Sequence, residues 1–271
     1  LFPNQLYARI AVMLMPASKR PVVITTEHST YNNRRKYSLL KILDKWMYKG
    51  YDKIVCISKQ TERNLREWLD QINLGNRIVT ICNGVNLSKF IPINSEEERS
   101  KNVVMVARLE HPKDPLTVVR AISKCPSDVN LYFVGSGYMD SSVKELSKEL
   151  NIEDRVHLLG NRKDVPEILH NSGIGVLSTE WEGFGLVLVE YMATGLPILM
   201  SEVDGIQDVV GDRDSLFVNG DDDELAGKIT RLIEDKDFYT AKSRFFKDRS
   251  SEFSIERMNK TYIDLYRNLL S

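Results

Sequence analysis

Two glutamates eight residues apart, Glu182 and Glu190, interrupt the stretch EWEGFGLVLVEYMATGLPI, residues 180–198. Glu190 falls between Leu186–Val189 and Tyr191–Ala193, where a solvated helix would show a polar face. An unpaired carboxylate among such neighbours is strongly disfavoured, so it is expected to hold a partner. Glu182 stands directly before Gly183-Phe184-Gly185, and Gly195 with Pro197 marks the end of a helix beginning near Gly185. Loop and helix N-terminus together offer unpaired N–H groups and a positive dipole end, suited to phosphate or sugar oxygens. Glycines on either side of Phe184 let a ligand approach the backbone closely. Singly, each glutamate reads as structural; together they read as a binding site.

Other stretches carry weaker signals. Arg108 follows a strand and Lys113 opens a helix five residues later; on spacing alone such a pair is solvated surface charge. His28 ends the run PVVITTEH, at the strand end where active-site residues of parallel sheets collect. VGSGYMD (134–140) mimics the start of a dinucleotide fingerprint. Asp140 replaces the third glycine, which such a site needs for helix packing, so a nicotinamide site is not expected. In GDDDE (220–224) the acids read as an N-cap and first turn matched to the helix dipole, and no metal is assigned.

These residues need a scaffold. The 271 residues are 42% hydrophobic and 28% charged, a globular composition long enough for two domains. Short β-branched runs alternate with helical periodicity throughout, which indicates an α/β protein with parallel layers. Strands are expected at PVVITTEH, YDKIVCIS, RIVTICNGVN, NVVMVARL, NLYFVGSG, RVHLLG, IGVLST, LPILMS and SLFV. Helices are expected over 4–18, 38–49, KQTERNLREWL after a Ser58 cap, DPLTVVRAISKC, SSVKELSKELN, VPEILHNS, DDELAGKITRLIED and the tail SIERMNKTYIDLYRNLL. The pattern divides at IPINSEEERS (91–100), a polar linker. The domains are therefore expected at 1–92 and 99–254, with 255–271 as a final helix.

The first block yields three strands where a doubly wound sheet usually has five or six, so its first strands are expected upstream of Leu1. Residues 1–50 carry a net charge of +7 and the remainder −8. The segment 38–49 is amphipathic, with Leu39, Leu40, Ile42, Leu43, Trp46 and Met47 on one side and Lys41, Lys45 and Lys49 on the other. With Arg34, Arg35 and Lys36 before it, the basic segment 34–49 suits anionic headgroups or a lipid diphosphate. Cys56, Cys82 and Cys125 are scattered and read as reduced thiols of a cytosolic protein. No apolar run approaches ~18 residues, so nothing here is expected to span a membrane.

EWEGFGLVLVEYMATGLPIL resembles the Glu-x7-Glu signature of retaining family 4 glycosyltransferases. VCISKQTERNL, ICNGVNLSKF, VARLEHPKDPLTVVRA, LYFVGSG, VHLLGNRKDV and IGVLSTEWEGFG agree with the same family in the same order. The resemblance implies the GT-B fold, two Rossmann-like domains facing a cleft, with the N-terminal one incomplete here. It implies transfer of a hexose from a UDP- or GDP-hexose to a glycan or lipid-linked acceptor hydroxyl, in cell-envelope polysaccharide or glycolipid synthesis.

In the family Glu190 accepts the donor ribose hydroxyls, Glu182 positions the transferred sugar, and the backbone of Gly183, Phe184, Gly185 and Leu186 lines sugar and diphosphate. Arg108 and Lys113 are the diphosphate clamp, fixed cations that need no metal, and His28 faces the donor sugar. Gly135 is a cleft-wall residue and the Leu159 loop lies near the base. The final helix crosses back to the first domain. No cofactor and no nucleic acid are implied. The expected location is cytoplasmic, extending to the inner face of the membrane. A GT-B phosphorylase and a non-catalytic nucleotide-sugar binder stay open as alternatives.

Overall fold

Short β-branched strands, each followed by a helix, pair here as parallel neighbours. The computed structural model describes residues 3–28, 30, 33–70, 74–91 and 101–270; the linker expected over 91–100 lies outside the described residues apart from Ile91. The first sheet contains β1 (Ile24–Glu27), β2 (Lys53–Cys56) and β3 (Ile78–Thr80), all parallel in that order. Helices α1 (Asn4–Leu14), α2 (Ser38–Tyr48) and α3 (Lys59–Trp68) accompany it. Ser58 caps α3 by accepting the Thr61 N–H at 3.1 Å.

The second sheet is larger. It comprises β4 (Val103–Val106), β5 (Leu131–Val134), β6 (Val156–Leu158), β7 (Ile174–Leu177), β8 (Ile198–Ser201) and β9 (Leu216–Phe217). Their spatial order is β6-β5-β4-β7-β8-β9, every pair parallel. Between and after them run α4 (Pro115–Lys124), α5 (Asp140–Glu149), α6 (Val165–His170), α7 (Leu186–Ala193), α8 (Gln207–Val210), α9 (Asp222–Glu234), α10 (Lys236–Ser250) and α11 (Ile255–Leu270). The chain leaves β4 towards β5 and β6, then returns to its other side with β7. Such a reversal opens a crevice beyond the carboxyl ends of the two central strands.

Charge patterning behaves as expected at the start of α9, and α4 begins in the same way. Asp114 caps α4, accepting the Thr117 N–H at 3.1 Å, and Asp221 caps α9, accepting the Glu224 N–H at 2.8 Å. Asp222 and Asp223 pair with Lys124. Periodicity does not announce α10, whose 15 residues bury only Ser243, Phe246 and Ser250. A stripe that narrow falls below what an apolar repeat can signal.

Helix α2 departs from its expected orientation. Leu39 and Ile42 are 81% and 71% exposed, while Met47, Tyr48 and the acidic Asp44 are buried. Lys41 and Lys45 both turn onto the single Asp70 carboxylate, so the charge of the expected basic stripe is partly offset. Asp44 accepts Arg34 Nη1 at 3.0 Å and Trp68 Nε1 at 2.9 Å. The core beneath is small, built from residues such as Tyr51, Ile54, Leu65 and Leu69, and seats chiefly the last turn of the helix. Those ion pairs, rather than the apolar stripe, set its rotation. Glu27 also proves structural: it is buried and accepts the Tyr48 hydroxyl at 2.5 Å, while burial, then the Glu27 charge, push the Tyr48 phenol well above its usual range.

After α10 the chain turns back to the first sheet. Val85 N–H donates to Phe253 O and Ile255 N–H donates to Val85 O, both at 2.9 Å, and the Tyr262 hydroxyl meets the Thr26 side chain. Gly84 permits this approach, because a Cβ there would lie 2.7 Å from Ile255 Cα and 2.8 Å from Ser254 O. Gly84→Ala is therefore expected to cost about 1–3 kcal/mol, the range for overpacked sites. Hydrogen exchange at Val85 and Ile255 should accelerate in the variant; unchanged protection there would show that the seam yields without cost.

Candidate functional site

The loops that follow β4 and β7 are forced by the strand order to meet in the crevice, and both carry candidate residues. A cavity of about 370 Å³ lies there. It is lined by Val106, Ala107 and Lys113 from beyond β4 and by Leu177, Glu182 and Gly183–Val187 from beyond β7. His28, Ile57 and Asn83 close it from the first half of the chain. A larger groove of about 780 Å³ along α9 and the start of α10 contains none of the candidate residues.

At the centre, Lys113 Nζ donates to Glu182 Oε2 at 2.5 Å. The Glu182 Oε1 accepts the Gly183 N–H at 3.0 Å. Burial alone would raise the Glu182 carboxyl. The Lys113 charge and hydrogen bond, with the Gly183 and Phe184 N–H groups, outweigh it and hold the carboxyl below the usual range. The site thus keeps an ionised carboxylate and a cation side by side in a half-buried cleft.

Helix α7 begins immediately afterwards. Gly185 adopts φ +72°, a left-handed turn that side chains rarely tolerate, and this aims the first turn of α7 at the cavity. Phe184 is buried edge-on against Phe253, ring centroids 5.6 Å apart, so only its backbone faces a ligand. Leu186 remains 45% exposed at the cavity wall. Tyr191 fixes the helix: it is fully buried, its ring abuts Gly175 in β7, and its hydroxyl accepts the Val106 N–H at 2.7 Å.

That packing leaves Glu190 half-buried with no hydrogen bond or ion pair to its carboxylate among the described residues. Burial alone pushes its carboxyl above the usual range. The partner expected from the sequence is not found among the described residues. Glu190 does not itself line the cavity of about 370 Å³, whose wall on this helix is Leu186 and Val187; further along the same helix, a desolvated carboxylate is a ready acceptor for hydroxyl donors.

The remaining candidates divide. His28 reaches the cavity, and its carbonyl lies 2.9 Å from where a Gly183 Cβ would be, so the two halves touch there. Arg108 does not line the cavity; its side chain is 82% exposed and donates to Glu110 at 3.4 Å. Gly135 and Leu159 do not line it either. Gly135 packs under the Arg108 loop, its would-be Cβ 2.0 Å from Ala107 O, and its N–H donates to Gly160 O beside Leu159. Asp140, in the position of the missing third glycine, instead closes that loop by accepting the Gly137 N–H at 3.0 Å.

Sequence reasoning passed over Ile57, Asn83 and Thr30. Asn83 was visible only as a turn residue. Thr30 Oγ1 donates across the cleft to Glu182 O at 3.2 Å, and Asn64 Nδ2 holds Thr30 O at 3.0 Å. Their signal lies in contacts between distant segments, which no local pattern encodes. Arg63 and Asp208 add an exposed ion pair at 3.3 Å between the two halves.

The family model for glycosyl transferases group 1 matches residues 88–247, and that for glycosyltransferase family 4 matches residues 3–89. N-acetyl-alpha-D-glucosaminyl L-malate synthase of Bacillus anthracis is 32% identical over 180 residues, 63% of this chain and 47% of that protein. UDP-Gal:alpha-D-GlcNAc-diphosphoundecaprenol alpha-1,3-galactosyltransferase of Escherichia coli is 28% identical over 240 residues, 80% of this chain and 61% of that protein. The chain thus spans less than two thirds of the length of these curated relatives. Anabaena HepE in its complex with UDP superposes with a TM-score of 0.84 at 19% identity, covering 97% of this chain and 77% of that one. The shared architecture is the GT-B arrangement of two parallel α/β sheets.

Proposed function

The chain belongs to the glycosyl transferases group 1 family, and on that premise we propose that it transfers a hexosyl group from a nucleotide sugar to an acceptor hydroxyl with retention of anomeric configuration. The observation that carries this reading is Glu190, a desolvated carboxylate with no partner among the described residues, on the helix whose first turn lines the cleft holding the Lys113–Glu182 pair. Glu190 accepts the ribose hydroxyls of the donor. Lys113, with Arg108 swung in from the surface, neutralises the diphosphate. Glu182 and the Gly183–Leu186 backbone position the sugar, and His28 faces it from the opposite wall.

Residues 1–92 form the acceptor-side domain, 99–254 the donor domain, and the helix from 255 onward ties the second back to the first. The bond from the anomeric carbon to the diphosphate oxygen breaks as the bond to the acceptor oxygen forms. The acceptor proton passes to the departing phosphate on the same face, so Glu182 orients and does not attack. The acceptor class is a glycan or lipid-linked sugar of the cell envelope, in keeping with the diphosphoundecaprenol acceptor in the name of the E. coli relative.

Calorimetric titration with UDP, GDP and ADP tests the donor site. Selective binding of one nucleotide, weakened in Glu190→Ala, is expected. Its absence for all three would overturn the assignment. Formation of a retained α-glycoside from the matching nucleotide hexose, read from anomeric proton couplings, tests the chemistry.

Contact with the cytoplasmic membrane face is part of the same proposal, on a different footing from the basic stripe. Among the described residues no helix is long and apolar enough to cross a membrane. Leu39, Ile42 and Trp46 of α2 and Leu14 of α1 are exposed, and Arg35, Lys36 and Lys49 flank α2. Leu39→Gln with Ile42→Gln should lower partitioning to anionic vesicles by tenfold or more, at roughly 1 kcal/mol or more per buried side chain. Co-sedimentation unchanged by the double substitution would remove the contact.

A further inference from the structure

Between the end of β7 and the Glu182 loop stands Thr179, fully buried and not part of the cavity wall. Its hydroxyl meets three groups around the site. It donates to Trp181 O at 2.9 Å, with Pro112 O farther off at 3.3 Å, and it accepts Lys113 Nζ at 3.5 Å. A hydroxyl has one proton and two lone pairs. With the proton committed to the nearer carbonyl, lone pairs are left to face the Lys113 ammonium.

The backbone around it is held separately. Lys113 and Thr179 are antiparallel bridge partners; Asp114 N–H donates to Ser178 O at 3.1 Å and Glu180 N–H donates to Pro112 O at 2.9 Å. Thr179 N–H donates at 2.9 Å to the buried Ser201 Oγ, at the end of β8. These bonds join the two loops without the hydroxyl, so the loops stay paired when it is removed. Lys113 carries three N–H donors. One goes to Glu182 Oε2 and one, more weakly, to Thr179 Oγ1, and no other acceptor for this ammonium is found among the described residues. Two fixed directions of a tetrahedral ammonium set the third, and Lys113 lines the cavity.

We propose that Thr179 is a positioning residue for the transfer reaction: its hydroxyl fixes the Lys113 ammonium so that one N–H is left for an oxygen of the nucleotide sugar's diphosphate. The assignment rests on the transferase reading above and deepens it. Thr179 does not touch substrate. It acts through Lys113, and through the Trp181 carbonyl that precedes Glu182. Without the hydroxyl the cation keeps Glu182 as its one acceptor among the described residues, and the Trp181 carbonyl loses the Thr179 proton.

The test compares Thr179→Val, which removes the hydroxyl and keeps the branched shape, with Thr179→Ser, which keeps the hydroxyl, both in the full chain. Burial raises the Glu182 carboxyl, and Lys113 with the Gly183 and Phe184 N–H groups outweighs it. Its titration, followed by carbon-13 NMR without ligand, should move upward in Thr179→Val and stay in place in Thr179→Ser. A titration that does not rise in Thr179→Val would overturn the role. Calorimetry gives the second readout, with the nucleoside diphosphate that the wild type selects from UDP, GDP and ADP. Affinity should fall about fivefold or more in Thr179→Val, the scale of one hydrogen bond, and recover in Thr179→Ser. In a Lys113→Met background Thr179→Val should change affinity no further, because its effect runs through that cation. Losses that add would show that Thr179 supports only the fold and would overturn the role. A wild-type chain that binds none of the three would overturn the transferase reading, while the Glu182 titration still decides whether Thr179 holds the Lys113–Glu182 pair.

Discussion

Lys113→Met is expected to lower transfer about 100- to 1,000-fold, the scale for removing one fixed group that stabilises developing charge. The same substitution should destabilise the chain at neutral pH. Lys113 and Glu182 are only 17% and 25% exposed, and removing one partner strands the other. Buried pairs cost about 3–5 kcal/mol when broken; this one, partly solvated, should cost about 2. The pH dependence gives the sign. In the wild type the Glu182 carboxyl is held below its unfolded value of 4.5, so its contribution is present above that pH and fades as pH falls through the folded value.

Without Lys113 burial dominates and the folded value moves above 4.5. The group then destabilises the fold increasingly as pH rises through it. The gap between wild type and variant should therefore be small in acid and widest above neutrality. Urea denaturation across that range checks it. Adding Glu182→Gln to Lys113→Met should restore most of the loss, because no carboxylate remains to strand. A gap independent of pH would show that Lys113 stabilises through packing of its chain alone.

Glu190→Gln should separate stability from binding in opposite directions. Burial raises the Glu190 carboxyl, so its ionised form opposes folding at neutral pH, and the neutral amide should stabilise the unliganded chain by about 1 kcal/mol. Nucleotide affinity should fall by about 10- to 100-fold, since hydrogen bonds to a charged acceptor contribute about 1.5–3 kcal/mol. Wild-type affinity should also weaken as pH falls through a value above 4.5, where the carboxylate takes up its proton. The glutamine variant should show no such step. Raised melting temperature with unaltered nucleotide affinity would leave Glu190 a structural defect without a ligand and would remove the main support for the donor site.

Much of this was legible before any coordinates. Strand runs such as NVVMVARL and IGVLST announce themselves by apolar continuity between turn residues, and Ser58, Asp114 and Asp221 announce helix starts by their capping chemistry. The anomaly at Glu190 was equally visible, because a lone acid in an apolar run is a local fact. These are properties of neighbours along the chain, and local physics suffices to read them.

Other features required the tertiary structure. That Lys113, and not Arg108, reaches Glu182 depends on two loops 69 residues apart meeting between β4 and β7. The rotation of α2 depends on Asp44 and Asp70 finding cations and a tryptophan on other segments. The place of Gly84 depends on a helix that returns from residue 255. Periodicity reports which face of an element is apolar. It does not report which distant partner is near enough to claim that face, and at these positions charge pairing and backbone approach decided the outcome.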